Sequence, residues 1–432
     1  MVTKNKNKQP LVPELRFPKF SGNNNWEERP LGDFLNEHKV KSDGQCEVHS
    51  VSVHKGVINQ KEHLGRSFAA KDTSNYNLAH PNDVIYTKSP TGDFAFGNVK
   101  QSHLEIKVIV SPLYGVFTPI TPEAGYIIHC FFESPQRAFK YLDPITQKGA
   151  KNTIQITNQG FLSGMVRFPH SPAEQKKIAD CLGSLGDLLA AHCRKLDALQ
   201  DHKKGLLQQL FPAEGETTPA LRFPEFKDTG EWKVGSVDDL ASILMGNAFK
   251  STDFADCGIQ LIRMGNLYQG TLKLERSPAF LPSFFAQTHS SFVLEPADLL
   301  MSMTGTVGKK DYGFVVQIPN DSGKLLLNQR VIKITPKRNF IKEFLLQLFQ
   351  SENFLDSLYA SAGGTKQANL SAVKLKLLKI SHPKPAEQQK IADCLSDLDA
   401  TITAESEQIA ALKKHKKGLM QQLFPNPDSS KA

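Results

Sequence analysis

The segment Met303–Lys310, MTGTVGKK, is the stretch of this 432-residue chain that comes nearest to a phosphate-binding loop. In such a loop, glycine-rich backbone and a lysine surround the phosphates, and a serine or threonine holds magnesium. Here Met303 stands where the first glycine belongs, and Lys310 stands where the serine or threonine belongs. We therefore expect no nucleotide site in this segment.

Other catalytic patterns are also missing from the sequence. It contains no Gly-x-Gly-x-x-Gly after a strand, no His-Glu-x-x-His, no Gly-x-Ser-x-Gly and no Asn/Asp-Pro-Pro-aromatic phrase of an amino-methyltransferase. The cysteines form no Cys-x-x-Cys pair and no regular framework, which argues against zinc and against a disulfide scaffold. We predict buried free thiols, no metal site, no catalytic residue and no enzymatic activity of the chain's own. The six cysteines are Cys46, Cys130, Cys181, Cys193, Cys257 and Cys394.

Composition is that of an ordinary soluble protein, with 40% hydrophobic and 22% charged residues. No run approaches the roughly 18 to 20 apolar residues that a membrane span needs. The beginning, MVTKNKNKQP, is basic but lacks the apolar stretch of a secretory signal, so we expect a cytoplasmic protein without a membrane partner. A net charge of +8 and a pI near 9.0 favour a polyanionic partner.

The chain repeats itself. Residues 172–212 align without gaps on residues 385–425, and both copies begin PAEQ and end QQLFP. A shorter pair, LRFPKFSGNNNW from Leu15 and LRFPEFKDTGEW from Leu221, ends on the only two tryptophans, Trp26 and Trp232. Two long segments thus alternate with two copies of a 41-residue unit, which indicates internal duplication.

Each 41-residue unit has apolar residues at alternating spacings of four and three, which predicts a helix whose seam packs on another helix in a coiled coil. Pro172 and Pro385 mark the helix starts, Glu174 and Glu387 suit the first turn, and Phe-Pro ends each helix. A helix of about 35 residues is roughly 50 Å long. The predicted seam residues are Ile178, Leu182, Leu185, Leu189, Leu196, Leu199, Leu206 and Leu210, and Ile391, Leu395, Leu398, Ile402, Ile409, Leu412, Leu419 and Leu423.

Polar residues interrupt this seam at His192 and Lys203, and at the equivalent Glu405 and Lys416. If the helices are antiparallel with aligned ends, Lys203 faces Leu398 and Lys416 faces Leu185. Each lysine is then expected to bury its stem and keep its ammonium group in water.

The two long segments contain short β-type runs broken by glycine, proline, asparagine and aspartate, together with some helix, so we predict an α/β (α+β) fold for both. The β-type runs lie at 105–110, 125–132, 258–265 and 330–335, and the segment 340–362 is amphipathic and helical. Polar loops on such a scaffold are the candidates for recognition.

This pattern resembles the specificity (S) subunit of type I restriction–modification enzymes. The resemblance rests on P-x-x-EQ-x-x-IA-x-x-L followed by a long helix ending K-K-G-L-x-Q-Q-L-F-P, present twice, and on the Leu-Arg-Phe-Pro…Trp segments. The text from LLMSMTGTVGKK to GGTKQANLS is also similar. The resemblance implies target recognition domains at 1–170 and 213–381, conserved spacer helices at 171–212 and 382–425, and a tail at 426–432.

For function, the resemblance implies that each recognition domain binds one half of a bipartite DNA site and that a two-helix antiparallel coiled coil sets the spacer. The repeats would be related by a pseudo-twofold axis. The implied partners are double-stranded DNA, two modification (M) subunits and restriction (R) subunits. The chain itself would need no cofactor, because S-adenosylmethionine, ATP and Mg would be bound by partners that methylate adenine or cleave DNA.

Direct recognition of bases needs Arg, Lys, Asn and Gln side chains that can form bidentate contacts, with Lys, Ser or Thr on phosphates. By residue type and loop context, the candidates in the second domain are Asn247, Lys250, Arg263, Asn266, Tyr268, Thr304, Thr306, Lys309, Lys310, Lys366, Gln367 and Asn369. Those in the first are Tyr76, Asn77, Lys88, Ser89, Lys148, Lys151 and Asn152. Asn266 has a turn position as its alternative, and Arg263 a strand position.

Two other functions remain open at this point. A free-standing coiled-coil DNA-binding regulator would share the basic charge and the helices. A single-chain methyltransferase would need methyl-donor and catalytic motifs, and the sequence lacks them.

Overall fold

The structure is a computed structural model, and it describes residues 12–22, 26–64, 72–148, 154–268, 270–306, 309–361 and 367–425. These residues form two compact units: unit 1 lies within 1–193 and 408–432, and unit 2 lies within 194–407. The division crosses both long helices, so each unit contains one globular part and half of each helix. The domain boundaries predicted from the repeats follow the helix ends instead.

Unit 1 is built mainly of short strands. They are β1 (Glu27–Pro30), β2 (Leu35–Glu37), β3 (His49–Ser52), β4 (Gly56–Asn59), β5 (Asn77–Ala79), β6 (Val84–Tyr86), β7 (Val99–Gln101), β8 (Val108–Val110), β9 (Gly115–Pro119), β10 (Gln147–Lys148), β11 (Ile154–Gln155) and β12 (Met165–Phe168). Its helices are α1 (Gln60–Leu64), α2 (Pro122–Phe132), α3 (Pro135–Leu142), α4 (Asn158–Ser163) and the first half of α5 (Pro172–Leu210).

The central sheet of unit 1 is antiparallel, with strand order β2-β9-β6-β7. Helix α2 packs against β7 and β9. The core on this side is rich in aromatic rings, including Trp26, Phe117, Phe132 and Phe161, each at most 2% exposed. Unit 1 also contains the two-stranded ribbons β1-β12, β3-β4 and β5-β8.

Unit 2 has the same mixture of elements. Its strands are β13 (Lys233–Ser236), β14 (Ala241–Met245), β15 (Ile259–Ile262), β16 (Leu267–Tyr268), β17 (Thr271–Leu272), β18 (Phe280–Leu281), β19 (Val293–Leu294), β20 (Leu299–Ser302), β21 (Thr304–Thr306), β22 (Val315–Gln317), β23 (Leu325–Leu327), β24 (Val331–Pro336), β25 (Gln367–Asn369) and β26 (Lys379–His382). Its helices are α6 (Val237–Leu240), α7 (Phe285–Thr288), α8 (Lys342–Gln350), α9 (Glu352–Ser361), α10 (Ala372–Leu377) and the first part of α11 (Pro385–Leu423).

Unit 2 repeats the central sheet of unit 1. Its antiparallel order β14-β24-β20-β22 matches β2-β9-β6-β7, and the ribbon β13-β26 matches β1-β12. The matching turns before β6 and β20 carry non-glycine residues with positive φ, Asn82 at 67° and Ala297 at 66°. A second four-stranded sheet, β18-β15-β23-β19, belongs to unit 2. Both domains are therefore mixed α and β structures, as predicted.

The long helices α5 and α11 each span 39 residues and begin at the predicted prolines. In unit 2 they are antiparallel, because Lys195 pairs with Glu405 at 2.8 Å and Lys203 pairs with Asp399 at 2.6 Å. All sixteen predicted apolar seam residues are buried or half-buried, so the heptad pattern gives the correct face. Near the helix ends the seam joins the domain cores, where Leu182 and Leu395 are 0% exposed.

One predicted strand is wrong. The apolar run at 125–132 lies in helix α2, where Thr121 caps the first turn by accepting from the Ala124 amide at 3.1 Å. Pro122 occupies the first helical position, which proline tolerates. The helix is buried on several faces, so its sequence lacks an amphipathic period, and a short apolar run of this kind does not distinguish helix from strand.

The predicted helix at 340–362 is two helices. The backbone of Ser351 is extended, with ψ of 144°, and separates α8 from α9, while its hydroxyl donates to the Leu348 carbonyl at 2.7 Å. The six cysteines are free, as predicted, but only Cys130 is fully buried; Cys257 is exposed and the other four are half-buried. Among the described residues, no helix is long and apolar enough to cross a membrane.

Candidate nucleic-acid interface

The candidate residues of unit 2 lie in loops that backbone contacts bring together. The amide of Gln329, in the turn between β23 and β24, donates to the carbonyl of Asn247 at 2.7 Å. In the same turn the carbonyl of Arg330 accepts from the Met303 amide at 2.9 Å, and β21 pairs with β25. These loops thus form one polar area. We call it the unit 2 loop surface, and it comprises residues 247–250, 263–268, 270–277, 303–306, 309–310, 328–330 and 367–369.

Asn266 and Thr304 hold this surface together and do not extend from it. Asn266 is 2% exposed; its Oδ1 accepts from the Arg263 amide at 3.0 Å, and its Nδ2 donates to the Lys273 and Arg276 carbonyls at 2.9 and 3.0 Å. The hydroxyl of Thr304, 5% exposed, lies 2.8 Å from the Met264 sulfur. Their buried polar atoms are already paired, and Asn266 lies in a short turn of 3-10 helix.

A basic and aromatic cluster stands at the edge of the unit 2 loop surface, on the β16-β17 hairpin and the loop after it. The ring of Tyr268 is 40% exposed. The Arg276 guanidinium lies 4.5 Å from its centroid, and the Lys273 ammonium lies 5.9 Å away. An exposed ring beside cations suits both base stacking and phosphate binding. Sequence reasoning selected Tyr268 but missed Lys273 and Arg276, because only the hairpin places both over the ring.

Arg330 is a third residue that the sequence did not point to. It is exposed and has a φ of 70°, a left-handed conformation that is costly for a residue with a side chain. Such strain is found most often at functional sites. The preceding Asn328 and Gln329 belong to the same turn, so a polar Asn-Gln-Arg sequence extends the loop surface.

Lys309 and Lys310, the two lysines of the phosphate-loop-like segment, differ in their ion pairing. The Lys310 ammonium pairs with Asp356 at 2.6 Å, and this hydrogen bond raises the pKa of Lys310 above its ordinary value. Lys309 is exposed and, within the described part of the chain, has no salt-bridge partner within 4 Å. The Thr306 amide donates to Asp311 at 2.7 Å, which lowers the pKa of that carboxyl. Lys309 is thus the lysine more available to a phosphate.

Other unit 2 candidates extend from the same surface. Lys250, Thr306 and Asn369 are exposed, and Asn247 is half-buried. The Arg263 guanidinium donates to the Ser277 carbonyl at 2.5 Å, which braces its own loop. Gln367 lies on β25, and Lys366 lies outside the described residues.

The unit 1 candidates are more dispersed. Asn77 has a structural role, because its Nδ2 donates to the Tyr114 carbonyl at 3.0 Å and its Oδ1 accepts from Lys41 at 2.7 Å. Lys88 is half-buried with a φ of 61°, and burial lowers its pKa. Ser89 is exposed and Tyr76 half-buried. Lys148 lies at the end of β10, and Lys151 and Asn152 lie outside the described residues.

Arginine–glutamate–tryptophan clusters join the domains to the helices, and we call them the clamps. In unit 1 the Arg16 guanidinium donates through Nε and Nη2 to both oxygens of Glu174, at 2.7 Å each, and the Trp26 indole donates to the same carboxylate at 3.3 Å. The side chains of Arg16 and Glu174 are 6% and 1% exposed. This glutamate was predicted only as a first-turn charge, but it is a buried anchor.

Unit 2 contains the same clamp. Arg222 donates to Glu387 at 2.7 and 2.8 Å, and the Trp232 indole donates at 3.2 Å. The matching backbone contacts are also present, since the Leu15 amide donates to the Gln422 carbonyl in unit 1 and the Leu221 amide to the Gln209 carbonyl in unit 2. Each segment that begins Leu-Arg-Phe-Pro thus contacts the start of one long helix and the end of the other. The duplicated Leu-Arg-Phe-Pro…Trp segment is the sequence pattern that marks each clamp.

The seam lysines do not keep their ammonium groups in water. In unit 2 the Lys203 ammonium, on a side chain 15% exposed, pairs with Asp399, which also accepts from Gln347 at 2.8 Å. In unit 1 Lys416, also 15% exposed, pairs with Glu133 at 3.3 Å. The prediction considered only the apolar residue facing each lysine. In unit 2 the facing helix α11 also supplies Asp399, with Gln350 of α8 at 3.3 Å, and in unit 1 the residue after α2 supplies Glu133.

Glu133 is the centre of a buried charged cluster in unit 1. It accepts from His129 at 2.9 Å and from Lys100 at 3.2 Å, in addition to its contact with Lys416. Burial alone would raise the pKa of Glu133, but the hydrogen bond from His129 and the two ammonium charges outweigh it, so this pKa is well below its usual range. Burial lowers the pKa of His129 to about 4. The imidazole is therefore neutral at physiological pH.

Comparison with known proteins identifies the class. Residues 229–414 match the sequence family described as the type I restriction modification DNA specificity domain. A crystal structure of the type I restriction–modification S subunit from M. genitalium has a TM-score of 0.59 at 12% identity, and the alignment covers 96% of this chain and 99% of that one. The fold is therefore that of a type I specificity subunit.

Individual relatives carry the same description. The MjaVIII specificity subunit of Methanocaldococcus jannaschii is 27% identical over 264 residues, which are 60% of this chain and 61% of the relative. The EcoBI specificity subunit of Escherichia coli is 29% identical over 189 residues, 42% of this chain and 36% of that protein. The chain thus covers about three-fifths or less of the length of these relatives. The predicted resemblance is confirmed in this sense: parts of the chain are similar in sequence to type I restriction enzyme specificity subunits.

Proposed function

We propose that this protein is the DNA sequence-specificity subunit of a type I restriction–modification complex. Unit 1 and unit 2 each bind one half of a bipartite DNA site, and the helices α5 and α11 set the number of base pairs between the halves. The spacer itself is not recognised. A stand-alone DNA-binding regulator is not favoured, because the homologues are named as subunits of restriction enzymes.

The observation that carries this proposal is the duplication of a complete recognition unit. Both units have a central sheet of the same strand order and the same clamp on a long helix. A double helix presents two antiparallel strands, so a protein with two equivalent modules can bind two half-sites. The specificity-domain match at 229–414 covers most of unit 2 and supports the role for that unit directly.

The unit 2 loop surface supports DNA as the ligand. Tyr268, Lys273 and Arg276 supply a stacking ring and two cations, while Lys309 and Arg330 add exposed charge. Lysine and arginine bind phosphates, and arginine also forms bidentate contacts with guanine. The overall charge of +8 acts in the same direction.

We further propose that the chain is not catalytic and binds no S-adenosylmethionine, ATP or magnesium of its own. Those ligands belong to the M and R subunits, which methylate adenine after turning it out of the duplex or cleave DNA. Two M subunits per chain follow from the two equivalent units. The absence of a methyltransferase or nucleotide-binding motif in the sequence supports this division of labour.

Reconstitution tests the proposal. The chain is coexpressed with an M subunit of a type I system, the complex is purified, and methylated adenines are mapped on genomic DNA. We expect one bipartite motif, a complex with two M subunits, and no methyl transfer by the purified chain alone. A single continuous motif, or specific DNA binding by the lone chain with no M subunit retained, would contradict it.

Exchange of unit 2 adds a stricter test. Replacing residues 213–381 with the corresponding segment of a homologue should change one half of the methylated motif and leave the other half unchanged. A change in both halves would contradict independent recognition by the two units.

A further inference from the structure

A cluster of two histidines and one aspartate lies beside the central sheet of unit 1. Asp83, at the start of β6, is 1% exposed, and its Oδ2 lies 2.8 Å from His38 Nε2 and 3.4 Å from His80 Nδ1. One ligand-type atom from each of the three residues lies within 4.8 Å of the others. His38 follows β2 and His80 precedes β6, so the cluster spans strand β9, which lies between them in the sheet.

We propose that His38, His80 and Asp83 bind a divalent transition-metal ion, with Zn²⁺ as the commonest candidate. Two imidazoles and one carboxylate are a frequent donor set for such ions, which leave further positions for water. Around tetrahedral Zn²⁺, donor atoms are about 3.3 Å apart, given metal–ligand distances of about 2.0 to 2.1 Å. The 3.4 Å between Asp83 Oδ2 and His80 Nδ1 is close to that value, whereas the 2.8 Å between Asp83 Oδ2 and His38 Nε2 is a hydrogen-bond distance that a bound ion would lengthen.

The aspartate is held in a fixed orientation from the protein side. Thr118 Oγ1 donates to Asp83 Oδ1 at 2.9 Å, and the His80 backbone amide donates to Oδ2 at 2.7 Å. Outer partners of this kind orient a ligating carboxylate and limit its freedom. The side chain of His80 is 36% exposed and that of His38 is 17% exposed, which gives an ion access from solvent.

The equivalent carboxylate of unit 2 is paired with a cation. There the matching turn presents Asp298, whose Oδ2 pairs with the Lys333 ammonium of β24 at 2.6 Å. Strand pairing places Val116 of unit 1 at the position of Lys333, because Val116 faces Ile85 as Lys333 faces Leu300. Unit 1 therefore replaces an ammonium group with two imidazoles.

A buried carboxylate without a compensating charge is costly. In the described part of unit 1, the two histidines are the only groups in ion-pair contact with Asp83. A metal ion bound by all three residues supplies the positive charge and joins the edge strand β2 to the turn before β6. The inference does not depend on the proposed DNA function.

No sequence motif indicates this site. His38 is 42 residues from His80, and the spacing matches no metal motif. The spacing of the cysteines alone led to the prediction of no metal site, and the proposed site, which contains no cysteine, differs from that prediction.

Zinc titration of the full-length chain tests it. The protein is stripped with a chelator, and Zn²⁺ binding is measured by competition with a chromogenic chelator, with Co²⁺ absorption as the report of coordination. We expect one ion per chain with imidazole-type Co²⁺ bands. His80→Ala should weaken binding at least tenfold, whereas His54→Ala, at an exposed histidine in the β3-β4 turn, should leave it unchanged.

Loss of fold is separated from loss of binding by the melting temperature of the metal-free proteins. His80 is partly exposed, so metal-free His80→Ala should melt within about 2 °C of the metal-free parent, and only the parent should be stabilised by Zn²⁺. Equal Zn²⁺ binding by the parent and His80→Ala would overturn the proposal. Failure of the parent chain to retain Zn²⁺ would also overturn it.

Discussion

The unit 1 clamp allows a quantitative prediction for Glu174→Leu. The substitution leaves the Arg16 guanidinium, 6% exposed, without the carboxylate that accepts its two hydrogen bonds at 2.7 Å. Removing one partner of a buried ion pair costs about 3 to 5 kcal/mol, because the other charge stays desolvated. We therefore expect the free energy of unfolding of unit 1 to fall by about that amount.

Urea titration monitored by tryptophan fluorescence measures the effect. The chain has two tryptophans, so a Trp232→Phe background leaves Trp26 as the reporter of unit 1. The matched control is Lys176→Ala, which removes an exposed ion pair with Asp180 in the same helix and should cost less than about 1 kcal/mol.

The double variant Arg16→Met/Glu174→Leu completes a thermodynamic cycle. Removing both charges should recover most of the loss, because no unpaired ion remains in the interior. If Glu174→Leu costs no more than Lys176→Ala, or if the double variant is as unstable as the sum of the single variants, the clamp is not an energetically coupled unit.

Three further predictions concern spacing, DNA contact and pH. Inserting seven residues after residue 193 and seven before residue 408 lengthens each helix by about 10 Å, which is the length of about 3 base pairs. The methylated motif should then have a longer spacer and the same two half-sites. An altered half-site would contradict the spacing role. Lys309→Ala should weaken DNA binding and reduce the slope of log K against log salt by about 0.9. Lys310→Ala should change this slope less, because the Lys310 ammonium is already paired with Asp356. Equal slopes for Lys309→Ala and the parent would remove Lys309 from the phosphate contacts. Burial lowers the pKa of His129 to about 4, so the unfolded chain takes up a proton at higher pH than the folded chain. The free energy of unfolding of unit 1 should therefore fall by up to about 3 kcal/mol as pH falls from 6.5 to 4. The same urea titration should show a smaller fall for His129→Gln, and an identical fall would assign the effect to other groups.

The long helices could be predicted from sequence because their signal is local. The seam residues repeat every 3.5 positions, and proline and Phe-Pro mark the ends, so periodicity gives both the bounds and the buried face. The α2 segment could not be assigned in this way, because a helix buried on several faces has no polar side to create a period.

The clamp and the seam ion pairs needed tertiary information. Arg16 and Glu174 are 158 residues apart, and no spacing rule connects them. Both residues lie in the duplicated segments, but only the fold brings Arg16 Nε within 2.7 Å of Glu174 Oε1. The pairing of Lys203 with Asp399 was not predicted, and Gln347 of α8, which also donates to Asp399, lies outside the helix pattern.

The DNA candidates were selected by residue type, and residue type does not distinguish exposed side chains from side chains whose hydrogen bonds lie within the fold. Tyr268 and Lys309 are accessible, whereas Asn77 and Asn266 use their amide groups within the fold. Arg276 was missed because its position over the Tyr268 ring comes from a hairpin, not from sequence adjacency. The particular bases contacted depend on this side-chain geometry, and so they are beyond what residue type predicts.

The division of the chain has a consequence for biosynthesis. Unit 2 is one continuous stretch, whereas unit 1 needs residues 408–425, whose Met420, Leu423 and Phe424 complete the core around Trp26. At a translation rate of about 5 to 20 residues per second, the nascent first domain waits about 12 to 46 s for that segment to be synthesised. During this interval the aromatic core lacks its closing side chains. The first domain to be synthesised is therefore the last to finish folding.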